Sequence, residues 1–403
     1  MIASTQSPAG RQLPRVLIVT ARLDIGGTEQ HLLRILPLLR RRGLDVSLFV
    51  LERGGKLEAA MTQAGVAIGG PVRHLPRRLH AVYAGLCLRR HLLSAKPDIL
   101  HFFLSEPYLV GSFAAFAQPS IRRIMSRRSL NMYQRRRPLL AWLERRLHRR
   151  TAVLLGNSAA VISNLLDECG DRNKIGLIRN GLAIPEAIDA ERRQRARSGL
   201  QLAPDDLVLA VNANLIPYKG HRDLFEALDR IKDRLPAGWR LLLIGRDQGI
   251  GRDLRQLAQE RGFADNVVWL GERSDAQDVL AAADAVLLPS HEEGFSNSLI
   301  EAMGCGLPVI ATAVGGNVDA ITDEETGLLV PIRNPEALAA AVLRLCEDAG
   351  LRQRLGAAAR RRVMSDFAID DCVTRYLNLY AGASLYERAA VQDLIDGKAS
   401  PAV

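Results

Sequence analysis

Residues 290–316 read SHEEGFSNSLIEAMGCGLPVIATAVGG. An apolar run, DAVLLP (284–289), precedes them, so Ser290–Ser296 form the polar loop at the carboxyl end of a buried strand. Ser296 or Asn297 is placed to cap a helix that carries Leu299, Ile300, Ala302 and Met303. Gly304 and Gly306 then turn the chain into a second apolar run, LPVIAT (307–312). Strand, loop, helix, strand is one unit of a parallel sheet. A helix start presents backbone N–H groups and the positive end of its dipole, an anion site suited to a diphosphate. Carboxylates repel phosphate, so Glu293 and Glu301, eight residues apart, call for hydroxyl partners. An ionised Glu only accepts hydrogen bonds and can take two from a vicinal diol. Glu293 in the loop is set to reach a sugar, and Glu301, one turn into the helix, to reach a ribose. Glu292 lies outside that spacing. The plainer reading makes Glu301 a solvated helix residue and Glu293 ordinary loop polarity. The capped helix, the glycine turn and the buried strand coinciding here argue against it.

The same alternation runs along the rest of the chain. RVLIVT (15–20) is a buried-strand run followed by the glycine turn DIGGTE (24–29), an apolar-periodic helix to Arg42, Gly43, and a second strand at 45–51. Further strands are expected at 98–103, 121–125 and 152–156. The pattern restarts at 207–213, with a helix over 220–234 and strands at 240–245, 266–271, 284–289 and 307–312. Two successive series imply two doubly wound α/β domains facing each other, with the arginine-rich stretch from about 182 to 205 as the linker. Residues 1–181 make the first domain, 182–365 the second, and 388–403 a loose tail. Open parallel sheets bind ligands beyond the carboxyl ends of their strands, here the loops after 20, 103, 213, 245, 271 and 289.

Composition narrows the partners. The five cysteines are scattered, with no CxxC pair, which argues for a reducing compartment and against a disulfide framework or a structural zinc site. No apolar run is long enough to span a bilayer and the first residues lack a signal-peptide core, so a cytoplasmic location is expected. The net charge of +10 is uneven: residues 1–181 hold 29 Lys/Arg against 11 Asp/Glu, and the remainder hold 25 against 33. The first half is therefore expected to meet something anionic. Its densest part, 122–150, holds eleven arginines and one acid, Glu144, interleaved with Leu139, Leu140, Trp142, Leu143 and Leu147. Read as a basic amphipathic helix, it suits an anionic membrane surface; its plainer reading is a helix packing leucines inward and solvating arginines. No recognition motif accompanies the charge, so nucleic acid is not expected as a partner.

The stretch 293–317, EGFSNSLIEAMGCGLPVIATAVGGN, resembles the signature of retaining GT-B-fold glycosyltransferases of family 4, whose hallmark is two glutamates separated by seven residues, here Glu293 and Glu301. The likeness continues to TGLLVP (326–331). DIGGTE resembles the family's first glycine loop, which implies a donor-side role for Gly27 and an acceptor-side role for Gly26. PYKGHRDL (217–224) resembles the segment whose lysine, here Lys219, pairs with the donor diphosphate. Asn180 and Gly181 match the end of the first domain, and GER (271–273), with Arg273, matches the loop flanking the nucleotide base. Residues 366–380 resemble the final helix that returns to the first domain, a helix expected over 366–387. The resemblance implies donor contacts from Asn214, Gly294, Phe295, Ser296, Asn297 and Ser298 as well, with Glu293 and Lys219 carrying catalysis. Two positions depart from it. Many relatives have an arginine where this chain has Asn214, and a histidine where it has Phe103; His101, two residues earlier, is either a displaced equivalent or a strand-end histidine.

The expectation is a glycosyltransferase that moves a sugar from a nucleotide-sugar donor, UDP being common in the family, to a lipid-linked or cell-surface polysaccharide precursor. Retention of configuration is implied by the resemblance, and the chain has no Asp-x-Asp signature, so no metal or other cofactor is expected. Two readings from other classes compete. A nucleotide-sugar epimerase shares the architecture and would form product without an acceptor. A non-catalytic membrane- or polysaccharide-binding module would bind no nucleotide. A dinucleotide oxidoreductase is disfavoured because DIGGTE lacks the GxGxxG spacing.

Overall fold

The structure is a computed structural model that describes residues 13–130, Gln134 and 137–382. The described chain forms two compact units. The first holds residues up to Asn157, Val161–Ile178 and the chain from Asp370 on; the second holds Ser158–Ala160 and Arg179–Ile369. Asn180 and Gly181 thus group with the second unit. The tail at 388–403, and the part of the last helix expected beyond Gly382, lie outside the described residues.

In the first unit the elements run β1 (Val16–Thr20), α1 (Gly27–Arg41), β2 (Val46–Val50), α2 (Glu58–Gln63), β3 (Ile68–Gly69), α3 (Arg77–Ala95), β4 (Ile99–Phe103), α4 (Ser105–Ala114), β5 (Arg122–Arg127), α5 (Pro138–His148), β6 (Val153–Gly156), α6 (Ala159–Cys169) and β7 (Ile175–Leu177). The seven strands lie in the order β3-β2-β1-β4-β5-β6-β7, and every pairing is parallel. All five residues of β1 are buried, as a strand covered on both faces requires. The order reverses between β1 and β4, where Ile18 stands opposite His101.

The second unit runs α7 (Ala190–Gly199), β8 (Val208–Asn212), α8 (His221–Ile231), β9 (Arg240–Ile244), α9 (Gly251–Glu260), β10 (Val267–Gly271), α10 (Ala276–Leu280), β11 (Ala285–Leu288), α11 (Asn297–Gly304), β12 (Val309–Thr312), α12 (Asn317–Ala320), β13 (Leu328–Val330), α13 (Pro335–Glu347) and α14 (Ala349–Asp366). Its six strands are ordered β10-β9-β8-β11-β12-β13, with the reversal between β8 and β11. Alternate strand residues feed two cores. Leu209, Val211, Leu241, Leu243 and Leu287 pack on one face, and Val208, Ala210, Leu242, Ile244 and Val286 on the other. The last helix, α15 (Ile369–Tyr380), belongs almost entirely to the first unit.

Two sequence expectations are corrected. The arginine-rich stretch from 182 to 205 is not a plain linker, because α7 forms within it. Asp189 caps that helix by accepting the Arg192 N–H at 2.7 Å. Arg197 is buried and donates to Asp284 Oδ2 at 2.9 Å and to the Pro204 carbonyl at 2.7 Å, so its charge anchors α7 to the start of β11. The run 122–150 is not one basic helix. Its first part is β5, in which Arg123 and Arg127 are buried. Arg127 forks onto Glu168 at 2.6 and 2.8 Å and reaches Glu144 at 3.3 Å. Burial pushes the Glu168 carboxyl up, but hydrogen bonds from His148 and Arg127 outweigh it and hold the pKa at about 2. Only the later part, α5, is a surface helix, and Arg137, Arg145, Arg146, Arg149 and Arg150 are exposed on and around it.

Candidate functional site

The reversal of strand order in the second unit places the loops after β8 and β11 side by side, because the two strands are neighbours. The first loop carries Lys219 and the second Glu293. Lys219 ends a short 3-10 turn, Pro217–Lys219, closed by Gly220 at φ 70°. A Cβ at Gly220 would stand 1.8 Å from the Pro289 carbonyl oxygen, so only glycine lets the two loops touch. Lys219 Nζ then donates to Glu293 Oε1 at 2.5 Å. The two residues singled out for catalysis therefore meet, 74 positions apart in the chain.

Glu293 is held from behind as well. The buried Ser290 hydroxyl donates to the same Oε1 at 2.8 Å. Thr312 Oγ1 donates to the Ser290 carbonyl at 2.5 Å, and Asn317 Nδ2 donates to the Thr312 carbonyl at 3.0 Å. The Gly315–Gly316 turn closes against this loop from the other side. A Cβ on Gly315, at φ 53°, would meet the Glu293 carbonyl oxygen at 1.7 Å. The two ends of the sequence signature are thus two walls of one backbone contact.

Beyond Glu293, Ser296 is the residue that caps α11, accepting the Leu299 N–H at 3.3 Å and lying 3.0 Å from the Ser298 hydroxyl. Asn297 Oδ1 accepts from Asn180 Nδ2 at 2.6 Å. Glu301 sits one turn into α11 and is 9% exposed. The Phe295 ring is buried against Phe367, with ring centroids 5.4 Å apart, so beside Gly294 only its backbone is left for a ligand. Asn214 turns its Oδ1 to the Arg246 N–H at 3.0 Å. Arg273, after β10, forks onto Asp275 at the surface, with contacts of 2.7 and 2.5 Å.

Sequence reading passed over Ser290, Arg246 and His221. Arg246 follows β9 at its carboxyl end, which was the available signal, and its Nε is buried with no hydrogen-bond partner among the described residues. His221 opens α8 and is wholly buried. Burial, then the nearby Lys219 charge, push its pKa down to about 4, so the imidazole is neutral beside the ammonium. Neither ring nitrogen has a hydrogen-bond partner among the described residues.

In the first unit, Gly26 and Gly27 open α1, and a Cβ on Gly26 would meet the Glu29 carboxylate at 2.4 Å. His101 lies wholly buried within β4. Its Nδ1 pairs with the Tyr380 hydroxyl and its Nε2 with the Ser126 hydroxyl, both at 2.8 Å. Burial, with Arg128 and Arg122 adding repulsion, lowers its pKa to about 3. Both nitrogens are thus engaged inside the unit, and His101 ties α15 to the sheet. His31 Nε2 makes a parallel tie to the Tyr376 hydroxyl at 3.2 Å.

Among the described residues no group of three or more His, Cys, Asp or Glu is arranged to hold a metal ion. No described helix is long and apolar enough to cross a membrane.

Residues 192–362 match the family model described as glycosyl transferases group 1, and residues 25–184 match that of glycosyltransferase family 4. The D-inositol 3-phosphate glycosyltransferase of Jonesia denitrificans is 32% identical over 242 residues, which cover 55% of this chain and 57% of that protein. Its namesake from Mycobacteroides abscessus is 29% identical over 347 residues, covering 79% and 76%. The chain spans little more than half the length of the first curated relatives it matches. Among solved structures, Anabaena HepE in complex with UDP and glucose superposes with a TM-score of 0.81 at 20% identity, covering 92% of this chain and all of that one. WaaG, a glycosyltransferase involved in lipopolysaccharide biosynthesis, gives 0.75 at 19% identity, covering 91% of this chain and all of its own. At these identities the likeness is one of fold, the GT-B fold with its two Rossmann-like units.

Proposed function

The chain belongs to the group 1 glycosyltransferases of family 4, and on that premise we propose that it transfers a sugar from a UDP-sugar to an anionic acceptor. The observation that carries this reading is the Lys219–Glu293 pair at the strand-order reversal, beside the Ser296-capped start of α11. Breaking the bond between a sugar and a diphosphate builds negative charge on the leaving group. Lys219 and the first N–H groups of α11 supply positive partners for it. Glu293 accepts from donor-sugar hydroxyls and Glu301 from the ribose diol, with no covalent intermediate assigned to either. The UDP and glucose held by the Anabaena neighbour support a UDP-sugar as donor. Family membership supports retention of configuration, and the charge stabilisation available from Lys219 and α11 supports transfer without a metal.

The acceptor is assigned to the arginine-rich first unit, as a lipid-linked or cell-surface polysaccharide precursor met at the cytoplasmic face of a membrane. The name of the relatives supplies the soluble control, inositol 3-phosphate. The test is calorimetric titration with a panel of nucleotide sugars, followed by transfer assays on both acceptor types with and without a chelator. Product anomeric configuration is read by NMR. Binding of a UDP-sugar that Lys219→Ala weakens, and chelator-resistant transfer with retention, are expected. Failure of every nucleotide sugar to bind overturns the reading, and product formed without acceptor replaces it with epimerisation.

A further inference from the structure

Strands β4, β5 and β6 are added one after another on the same side of β1. Right-handed crossovers therefore place α3, α4 and α5 next to one another on one face of the first sheet. These helices are apolar on two sides. In α3, Ala84, Leu88 and Leu92 are buried toward the sheet, while Leu79, Val82, Leu86 and Leu93 are exposed at the spacing of a second stripe. Phe113 and Phe116, at the end of α4, are exposed as well. On α5, Leu139 is 74% and Trp142 51% exposed. Surface-exposed stripes of this kind mark interaction sites in water-soluble units.

The exposed charge of α3 and α5 is positive, and α4 adds one exposed acid, Glu106, in its first turn. Helix α3 contains no Asp or Glu and carries exposed Arg89 and Arg90. The single acid of α5, Glu144, is buried in its pair with Arg127. Around it the exposed arginines stack on the exposed rings: Arg146 lies 4.7 Å over Trp142 and Arg150 lies 4.4 Å over Phe116.

We propose that the outer face of α3, α4 and α5 is a docking surface for an anionic lipid bilayer. Leu79, Val82 and Leu86 enter the acyl boundary, Trp142 sits at the headgroup level, and the arginines meet lipid phosphates. A second copy of the chain fits poorly, because a twofold contact would set these arginines against their own images. A nucleic-acid backbone offers nothing to the aliphatic stripe. The surface goes beyond the 122–150 segment, whose first part, β5, is largely buried, and brings in α3, which its sequence did not single out. It rests on the proposed lipid-linked acceptor only for its purpose.

The experiment is vesicle co-sedimentation of the full chain, with phosphatidylcholine alone and with about one third phosphatidylglycerol added. Salt is set at roughly 0.1 M and 1 M, between which the Debye length falls from about 10 to about 3 Å. Binding to the anionic vesicles at low salt is expected, with a blue shift of Trp142 emission. Each arginine removed among Arg89, Arg90, Arg145 and Arg146 lowers partitioning about five-fold, and the double variant Leu86→Ser/Trp142→Ser abolishes it. UDP-glucose binding by the same variants stays unchanged, which shows them folded. A wild-type chain left in the supernatant, or undiminished binding by the Leu86→Ser/Trp142→Ser variant, overturns the surface. So does a self-associating chain whose dimer the same substitutions dissolve. Vesicle binding without nucleotide-sugar binding sinks the transferase reading and leaves the surface standing; the reverse does the opposite.

Discussion

If the proposed donor site is right, donor entry has to undo the contact between Lys219 and Glu293, and the two residues then answer differently to UDP. Their side chains are 17% and 8% exposed, with Nζ and Oε1 2.5 Å apart. With charge centres about 4 Å apart and an effective dielectric of about 20, the attraction is roughly 4 kcal/mol. Residual solvent and the Ser290 hydrogen bond that stays on Glu293 offset much of this. About 1–2 kcal/mol is left for the diphosphate to overcome. Glu293→Gln keeps the side-chain shape and removes the charge, freeing the ammonium. UDP then binds about five- to thirty-fold more tightly. Sugar transfer by the same variant falls by about 10²-fold or more, because a carboxylate partner of the sugar is lost. Lys219→Ala moves UDP affinity the other way, weakening it by about ten- to a hundred-fold, the worth of a charge-assisted hydrogen bond. Titration calorimetry with UDP and with UDP-glucose reads both directions. If Glu293→Gln weakens UDP as much as Lys219→Ala does, the competition argument is wrong and Glu293 is holding the loop or the diphosphate itself.

Three further outcomes are expected. Gly315→Ala places a methyl 1.7 Å from the Glu293 carbonyl at a left-handed φ, so the Glu293 loop shifts by about 1 Å and kcat/KM for the UDP-sugar drops about 10²-fold; unchanged kinetics would break the link between the turn and the carboxylate. Ser290→Ala frees the back of Glu293, and the expected loss of about ten-fold in kcat with UDP binding intact separates positioning from general damage, which would weaken both. Neutral burial holds His101 at about 3 and His221 at about 4, below the unfolded value near 6.5. The unfolded chain binds the extra protons, so stability is full above about pH 6.5 and falls as pH drops toward the folded values, by about 2 kcal/mol per histidine at pH 5. Urea unfolding at neutral pH and near pH 5 checks this, with His101→Asn removing that residue's share; equal stability at both pH values would contradict it.

The parts of the site legible in the sequence are those whose role comes from backbone position. Lys219 and Glu293 end loops that directly follow apolar strand runs, and the strand–loop–helix order fixes which edge of the sheet they reach. Ser296 and Asn297 both stood as cap candidates before Leu299 and Ile300, and Ser296 is the one that caps. Side-chain direction was another matter. The ring of Phe295, a residue expected among the donor contacts, and His101, read either as an acceptor-side group or as a strand-end histidine, both turn inward, where they meet Phe367 and Tyr380 from far along the chain. Arginine runs misled for the same reason. Arg127 and Arg197 read as solvated charge, yet their partners Glu168 and Asp284 lie 41 and 87 residues away. The short strands β3, β7 and β13, of two to three residues, gave too little pattern to separate from loops.

The pairings of His101 with Tyr380 and of His31 with Tyr376 have a consequence for how the molecule comes into being. The unit that leaves the ribosome first lacks one of its own helices until the second unit has been made. Its sheet waits, with two buried imidazoles still lacking their tyrosines, while the whole second unit is made and can fold. A chain stopped near residue 369 would carry every described element of the second unit and an unfinished first one. The first unit is thus finished by a helix made only after the second.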